Sequence, residues 1–220
     1  MTSKKTSLFA FAILLSAVLF WTGQARAELH ITVGAGQVRP MSIAIPNFTG
    51  ATPADDDMGA KMVEVITADL ERSGLFRAIP PSSFIQDIHA VAKSPNFGEW
   101  RSINSEALVT GLMTKAQDGR TRVEFRLWDV FAQQQMVGMA YMTTPTNWRR
   151  IAHIISDAIY KRLTGEEGYF DSRIVYISET GPANARIKRL AIMDQDGANH
   201  RFLTDGRALV LTPRFSQTKQ

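Results

Sequence analysis

A chain of 220 residues, 45% of them hydrophobic, is long enough to bury the core of one or two domains, and it carries no low-complexity tract. It has no cysteine, which excludes a disulfide-stapled fold and leaves an ordinary packed core to hold it together. The formal net charge of +4 is not a nucleic-acid signature, because its source is local to the N-terminus.

Lys4 and Lys5 form a charged start, and an apolar run follows from Leu8 to Trp21. Gly23 breaks the run, and Ala25-Arg26-Ala27 matches the small-x-small cleavage rule of a secretory signal peptide. The run is shorter than the roughly 18–20 apolar residues of a spanning helix, so no membrane span is expected once the signal is removed. Cleavage after Ala27 would make Glu28 the first mature residue. It would also remove three basic residues of the 25, leaving 22 against 21 acidic ones. A nearly neutral exported chain without cysteine suits a bacterial periplasm and gives no reason to expect nucleic-acid binding.

Residues 28–36 read as an arm. Leu29, Ile31 and Val33 alternate, and Gly34-Ala-Gly36 is a flexible joint; no strand-to-helix turn surrounds this GxG pair, so it is not a dinucleotide loop. Met41-Ser-Ile-Ala-Ile45 is a strand ended by Pro46. Asp55-Asp56-Asp57 could suggest a metal. A helix start explains the run better, because carboxylates complement the positive end of the helix dipole. Met58, Met62, Val65, Ile66 and Leu70 then form an apolar stripe at helical spacing, closed by Gly74.

Leu75–Ile79 is a short strand halted by Pro80-Pro81, and a short helix is expected within Phe84–Val91. Phe97 and Trp100 are expected in a polar loop, as plugs of the core. Ala107–Leu112 is a strand, and Asp118-Gly119 a hairpin turn. After it, Val123, Phe125 and Leu127 alternate with Arg122, Glu124 and Arg126, so one face is buried and one is wet; Val137, Met139 and Tyr141 repeat the pattern. Thr146 and Asn147 are N-cap candidates for a second long helix, with Trp148, Ile151, Ala152, Ile155, Ile159 and Leu163 as its stripe and Gly165 as its stop. Residues 37–165 therefore predict an α/β domain, a mixed sheet with two long helices. Residues 166–172, beginning Glu166-Glu-Gly168, are expected to be a polar linker.

Residues 173–220 change character. Arg173–Glu179, Ile187–Gly197, Asn199–Thr204 and Thr212–Ser216 read as short strands joined by turns, with Asp194-Gln-Asp-Gly197 as a tight hairpin. This is the pattern of one β-propeller blade, which takes four strands and about 40–45 residues. The expectation is an incomplete all-β propeller, its first blade only, poorly ordered or aggregation-prone alone because repeat units bury their faces against neighbours.

No catalytic residues, metal ligands or cofactor are expected. No Gly-x-Ser-x-Gly elbow, phosphate loop or His-Glu-x-x-His motif occurs, and the four histidines are far apart in sequence. Asp194-Gln195-Asp196-Gly197 places glycine fourth, not sixth as an EF-hand requires, and reads as a turn. Arg149-Arg150 and Lys161-Arg162 are expected on the solvated face of the last long helix.

Several segments taken together resemble the TolB family, the periplasmic component of the Tol-Pal cell-envelope system, and most of all its alphaproteobacterial branch. They are Arg39–Pro46, Ser73-Gly-Leu-Phe76, Ala107–Gly111, Val123–Asp129, Trp148–His153, and Leu163-Thr-Gly165 followed by Gly168–Tyr176. The resemblance implies an α/β domain joined to a six-bladed propeller and a non-enzymatic role in outer-membrane invagination at division and in envelope integrity. It implies that the propeller binds the lipoprotein Pal. It further implies that the mature N-terminal segment, here Glu28, Leu29, His30, Ile31, Thr32 and Val33, binds the C-terminal domain of TolA. Such an arm could add a strand to a partner's sheet edge, or pack on its own domain. With one blade present, Pal binding would be in doubt. A periplasmic hydrolase scaffolded on a propeller and a small-ligand-binding module remain as alternatives.

Overall fold

The structure, a computed structural model, describes Leu29 and residues 39–216. The cleavage residues Ala25 and Ala27, and the arm residues Glu28, His30, Ile31, Thr32 and Val33, lie outside the described residues.

Strands β1 (Met41–Ala44), β2 (Phe76–Ala78), β3 (Ala107–Lys115), β4 (Thr121–Asp129) and β5 (Gln134–Thr143) form one sheet in the order β2-β1-β3-β4-β5. β1 runs parallel to β2 and β3, whereas β3, β4 and β5 are antiparallel, so the sheet is mixed. Two long helices, α1 (Pro53–Arg72) and α4 (Trp148–Thr164), cover one face. Met41, Ile43, Val109, Val123, Phe125 and Leu127 point into that layer and meet Met62, Ile66, Leu70, Ile155 and Ile159. The opposite face is covered only near β1 and β3, by the short helices α2 (Ile88–Val91) and α3 (Phe97–Ser102).

The acidic run starts α1, as expected. Thr52 is its N-cap, and Asp55 completes a capping box by accepting from the Thr52 backbone N–H at 3.2 Å. Gly74 (φ 74°) and Gly165 (φ 79°) end the two long helices in the left-handed conformation that glycine adopts without strain. The helix expected within Phe84–Val91 is one four-residue turn preceded by a 3-10 turn at Pro81–Ser83. The segment read as a polar loop around Trp100 is instead helix α3. Trp100 is indeed a core plug, 1% exposed, and its indole N–H donates to Gln86 Oε1 at 2.9 Å. Phe97 is only half-buried, edge-on to Trp128.

The alternation in β4 holds, but in β5 it is weak. Met139 is exposed, because β5 is the sheet's outer strand and a register shift at Leu127/Trp128 loosens its pairing. Phe48 lies in a slot whose two walls are glycines: a Cβ on Gly111 would fall 2.3 Å from its ring, and one on Gly59 would fall 2.0 Å from its carbonyl oxygen.

Strands β6 (Arg173–Thr180), β7 (Ile187–Asp194) and β8 (Arg201–Phe202) form a second, antiparallel sheet. The Asp194–Gly197 turn is tight. Asp194 C=O accepts from Gly197 N–H, Asp194 N–H donates to Ala198, and Gly197 has φ 87°. The fourth strand expected at Thr212–Ser216 does not form among the described residues. Ile174, Ile187, Phe202, Leu203, Leu209, Leu211 and Phe215 stay exposed on this unit. The fold is thus a mixed α/β domain followed by strands of a partial propeller.

Two outcomes are expected. Gly59→Ala gains about 1 kcal/mol of helix propensity but drives a methyl into a backbone carbonyl. A cost of roughly 1–3 kcal/mol for such overpacking makes the net effect destabilising, read as a lower urea midpoint. Brief chymotrypsin treatment should cut first between Phe202 and Phe215 and leave the first sheet and its helices intact. Equal resistance of the two units would contradict this.

Candidate functional site

The joint between the two units gathers buried and half-buried polar side chains from both. It begins on α1 with Asp69, fully buried among apolar residues of the stripe. Three donors converge on its carboxylate. The His153 ring meets Oδ2 at 2.6 Å through Nδ1, and Oδ1 accepts from Arg72 Nη1 and from Gln195 Nε2, each at 3.0 Å. A carboxylate only accepts, so Nδ1 carries the hydrogen, and Nε2 points the other way. Gln195 comes from the β7–β8 turn, so the propeller strands help satisfy a charge in the core of the first domain.

Arg149 stands one helical turn before His153 on α4, on the same face. Its guanidinium pairs with Asp196 of the same turn. His153 Nε2 lies 3.7 Å from Asp196 Oδ2. Both His153 Nε2 and Arg149 Nε are buried without a hydrogen-bond partner. Burial disfavours a charged His153 ring, but the bond to Asp69 and the charges of Asp69 and Asp196 outweigh it and lift its pKa above the usual value. Burial also raises Asp196, yet the Ala198 N–H and the Arg149 guanidinium prevail and hold it below the usual carboxylate value.

The segment read as a polar linker is a docked strap. Asp157, one turn beyond His153, accepts from the backbone N–H of Phe170 at 2.7 Å and of Asp171 at 3.0 Å. Burial nevertheless leaves its pKa raised. Gly168 passes so close that a Cβ would sit 2.3 Å from the Asp157 carboxylate. Phe170 is fully buried against Tyr160 and Tyr169. Arg150 grips Asp171 through Nε and Nη2, at 3.1–3.2 Å, and this pairing raises its own pKa. The expectation of a solvated Arg149-Arg150 face is therefore corrected for Arg149, which turns inward because Asp196 folds against it. Arg150 stays exposed while it pairs with Asp171 of the strap.

A cleft of about 470 Å³ opens beside this cluster, lined among others by Arg149, Arg150, His153, Arg173, Asp194 and His200. His153 and His200, 47 positions apart, thus border one cavity. Of the expected arm contacts, Leu29 is described: it is half-buried and packs against the main core. Sequence reasoning missed Asp69. The signal was a carboxylate on the stripe of α1, three residues after Ile66, where an acid needs a buried partner.

Asp157→Ala removes an ionised acceptor from two backbone donors. It is expected to cost about 2–3 kcal/mol and to speed amide exchange at Phe170 and Asp171, read by hydrogen-exchange mass spectrometry. Unchanged exchange would mean that the Phe170 ring alone seats the strap.

Among the described residues no helix is long and apolar enough to cross a membrane. Residues 29–136 match the family model of the TolB amino-terminal domain, and residues 160–220 that of the TolB beta propeller domain. The chain is 54% identical over 214 residues to the Tol-Pal system protein TolB of Paramagnetospirillum magneticum, covering 97% of this chain and 48% of the relative. The crystal structure of TolB from Acinetobacter baumannii superposes with a TM-score of 0.66 at 26% identity, covering 84% of this chain and 44% of that one. The chain thus spans about half the length of the relatives it matches. An amino-terminal TolB domain strapped to the opening strands of a TolB propeller places the chain in the TolB family of Tol-Pal system proteins.

Proposed function

We propose that the chain acts as a non-enzymatic periplasmic adaptor of the Tol-Pal system, linking the inner-membrane TolA side to the outer-membrane lipoprotein Pal. In that role it supports outer-membrane invagination at division and envelope integrity. The observation that carries this is the 54% identity to a Tol-Pal system protein, which runs across both units. Asp69, His153, Gln195, Arg149 and Asp196 bond to one another across the joint, which suits a scaffold that holds two binding units in register.

The TolA contact is assigned to Glu28, Leu29, His30, Ile31, Thr32 and Val33, and the Pal contact to a full propeller, of which this chain carries the opening strands. A short alternating strand on a glycine joint suits addition to a partner's sheet edge, where backbone hydrogen bonds give affinity and alternate side chains give specificity. Leu29 itself packs against the core of its own domain.

The chain beginning at Glu28 is expected to be captured by the immobilised C-terminal domain of TolA. A chain beginning at Gly34 should lose most of that capture while keeping its circular-dichroism spectrum. Equal capture of the two would remove the arm from the mechanism.

A further inference from the structure

We propose that His153, Asp194 and Asp196 form a binding site for one divalent transition-metal cation of the zinc class. One ligand atom from each of the three lies within 4.8 Å of the other two. The histidine is prepared for it. Its Nδ1–H is held by Asp69, the carboxylate–histidine arrangement that orients metal-binding imidazoles, and this aims Nε2 at the β7–β8 turn. Nε2 is buried, in a side chain 2% exposed, and has no hydrogen-bond partner. Bound there, a cation would take the Nε2 lone pair, releasing any proton that Nε2 carries in its ion pair with Asp196.

The two carboxylates are oriented as well. Asp196 Oδ1 accepts from Ala198 N–H at 3.0 Å, and Asp194 Oδ2 from Asn199 Nδ2 at 2.5 Å. Zinc binds nitrogen and carboxylate oxygen at about 2.0–2.2 Å, which sets tetrahedral ligand atoms roughly 3.3 Å apart. His153 Nε2 and Asp196 Oδ2 are already at 3.7 Å, so closure needs shifts of about 1 Å or less between them. A mixed imidazole and carboxylate set favours zinc over calcium or magnesium, which prefer oxygen ligands throughout. His153 and Asp194 also line the cleft, where a water or a partner's side chain can complete the coordination.

Arg149 is the built-in competitor. Its guanidinium neutralises Asp196, and a metal must displace it. This gives the site a signature of opposite signs. In titration calorimetry of the untagged chain with zinc chloride, one equivalent is expected to bind. Asp194→Asn, an isosteric change at a half-buried position checked by an unchanged circular-dichroism spectrum, should weaken binding by about 10-fold or more, and so should His153→Gln. Arg149→Ala should tighten it. X-ray absorption should show one imidazole and oxygen ligands around the zinc. No saturable binding would overturn the proposal. So would binding unchanged in Asp194→Asn, which would assign the zinc to other histidines and leave the cluster an ion-pair joint.

Discussion

A single buried carboxylate, Asp69, sets the terms for the joint. It sits on the inner face of α1, where an unpaired charge would cost several kcal/mol. Its three donors come from three places: Arg72 on the same helix, His153 on the facing helix, and Gln195 on the propeller strands. Satisfying one acid therefore fixes the pairing of α1 with α4 and draws the second sheet onto the first domain. Geometry of this kind adds specificity of docking more than raw stability, because the desolvation of buried charges offsets much of their attraction.

One face of α4 carries most of the rest of the connection. Arg149, His153 and Asp157 recur every four residues, so they stand in a row one turn apart, with Arg150 beside them. The row reads arginine to turn, histidine to core acid, aspartate to strap. The two outer contacts engage the chain that follows, at Asp196 of the β7–β8 turn and at Phe170 and Asp171 of the strap, and the histidine reaches back to α1. The opposite face of the same helix packs Ile151, Ile155, Ile159 and Leu163 into the main core. The helix thus belongs equally to both units, and the approach of Gly168 to Asp157 leaves no slack between them.

The two sheets differ in how they are covered. The first has one face under two helices and is closed by Trp100 on the other, near its parallel strands. The second exposes Ile174, Ile187 and Phe202, the sort of surface that propeller blades bury against one another. Its β7–β8 turn is held against the first domain through Gln195 and Asp196. Beyond Thr204, Leu209, Leu211 and Phe215 are exposed and lie in no strand among the described residues.

Local patterns in the sequence determined much of the fold. The stripes of α1 and α4, the acidic start behind Thr52, the glycine stops at Gly74 and Gly165, the alternation in β4 and the Asp194–Gly197 turn follow from periodicity, capping and backbone sterics. Each of these acts within a few residues. Where local signals competed, the outcome was less legible: the helix around Trp100 looked like a loop because its residues are mostly polar, and β5 lost its alternation because its edge position exposes both faces. The joint was decided only by tertiary structure. Asp69 and Asp196 stand 127 positions apart, with His153 between them, and each is unremarkable in its own helix or turn. What makes them a site is desolvation, which acts only once the helices and the second sheet have closed around them.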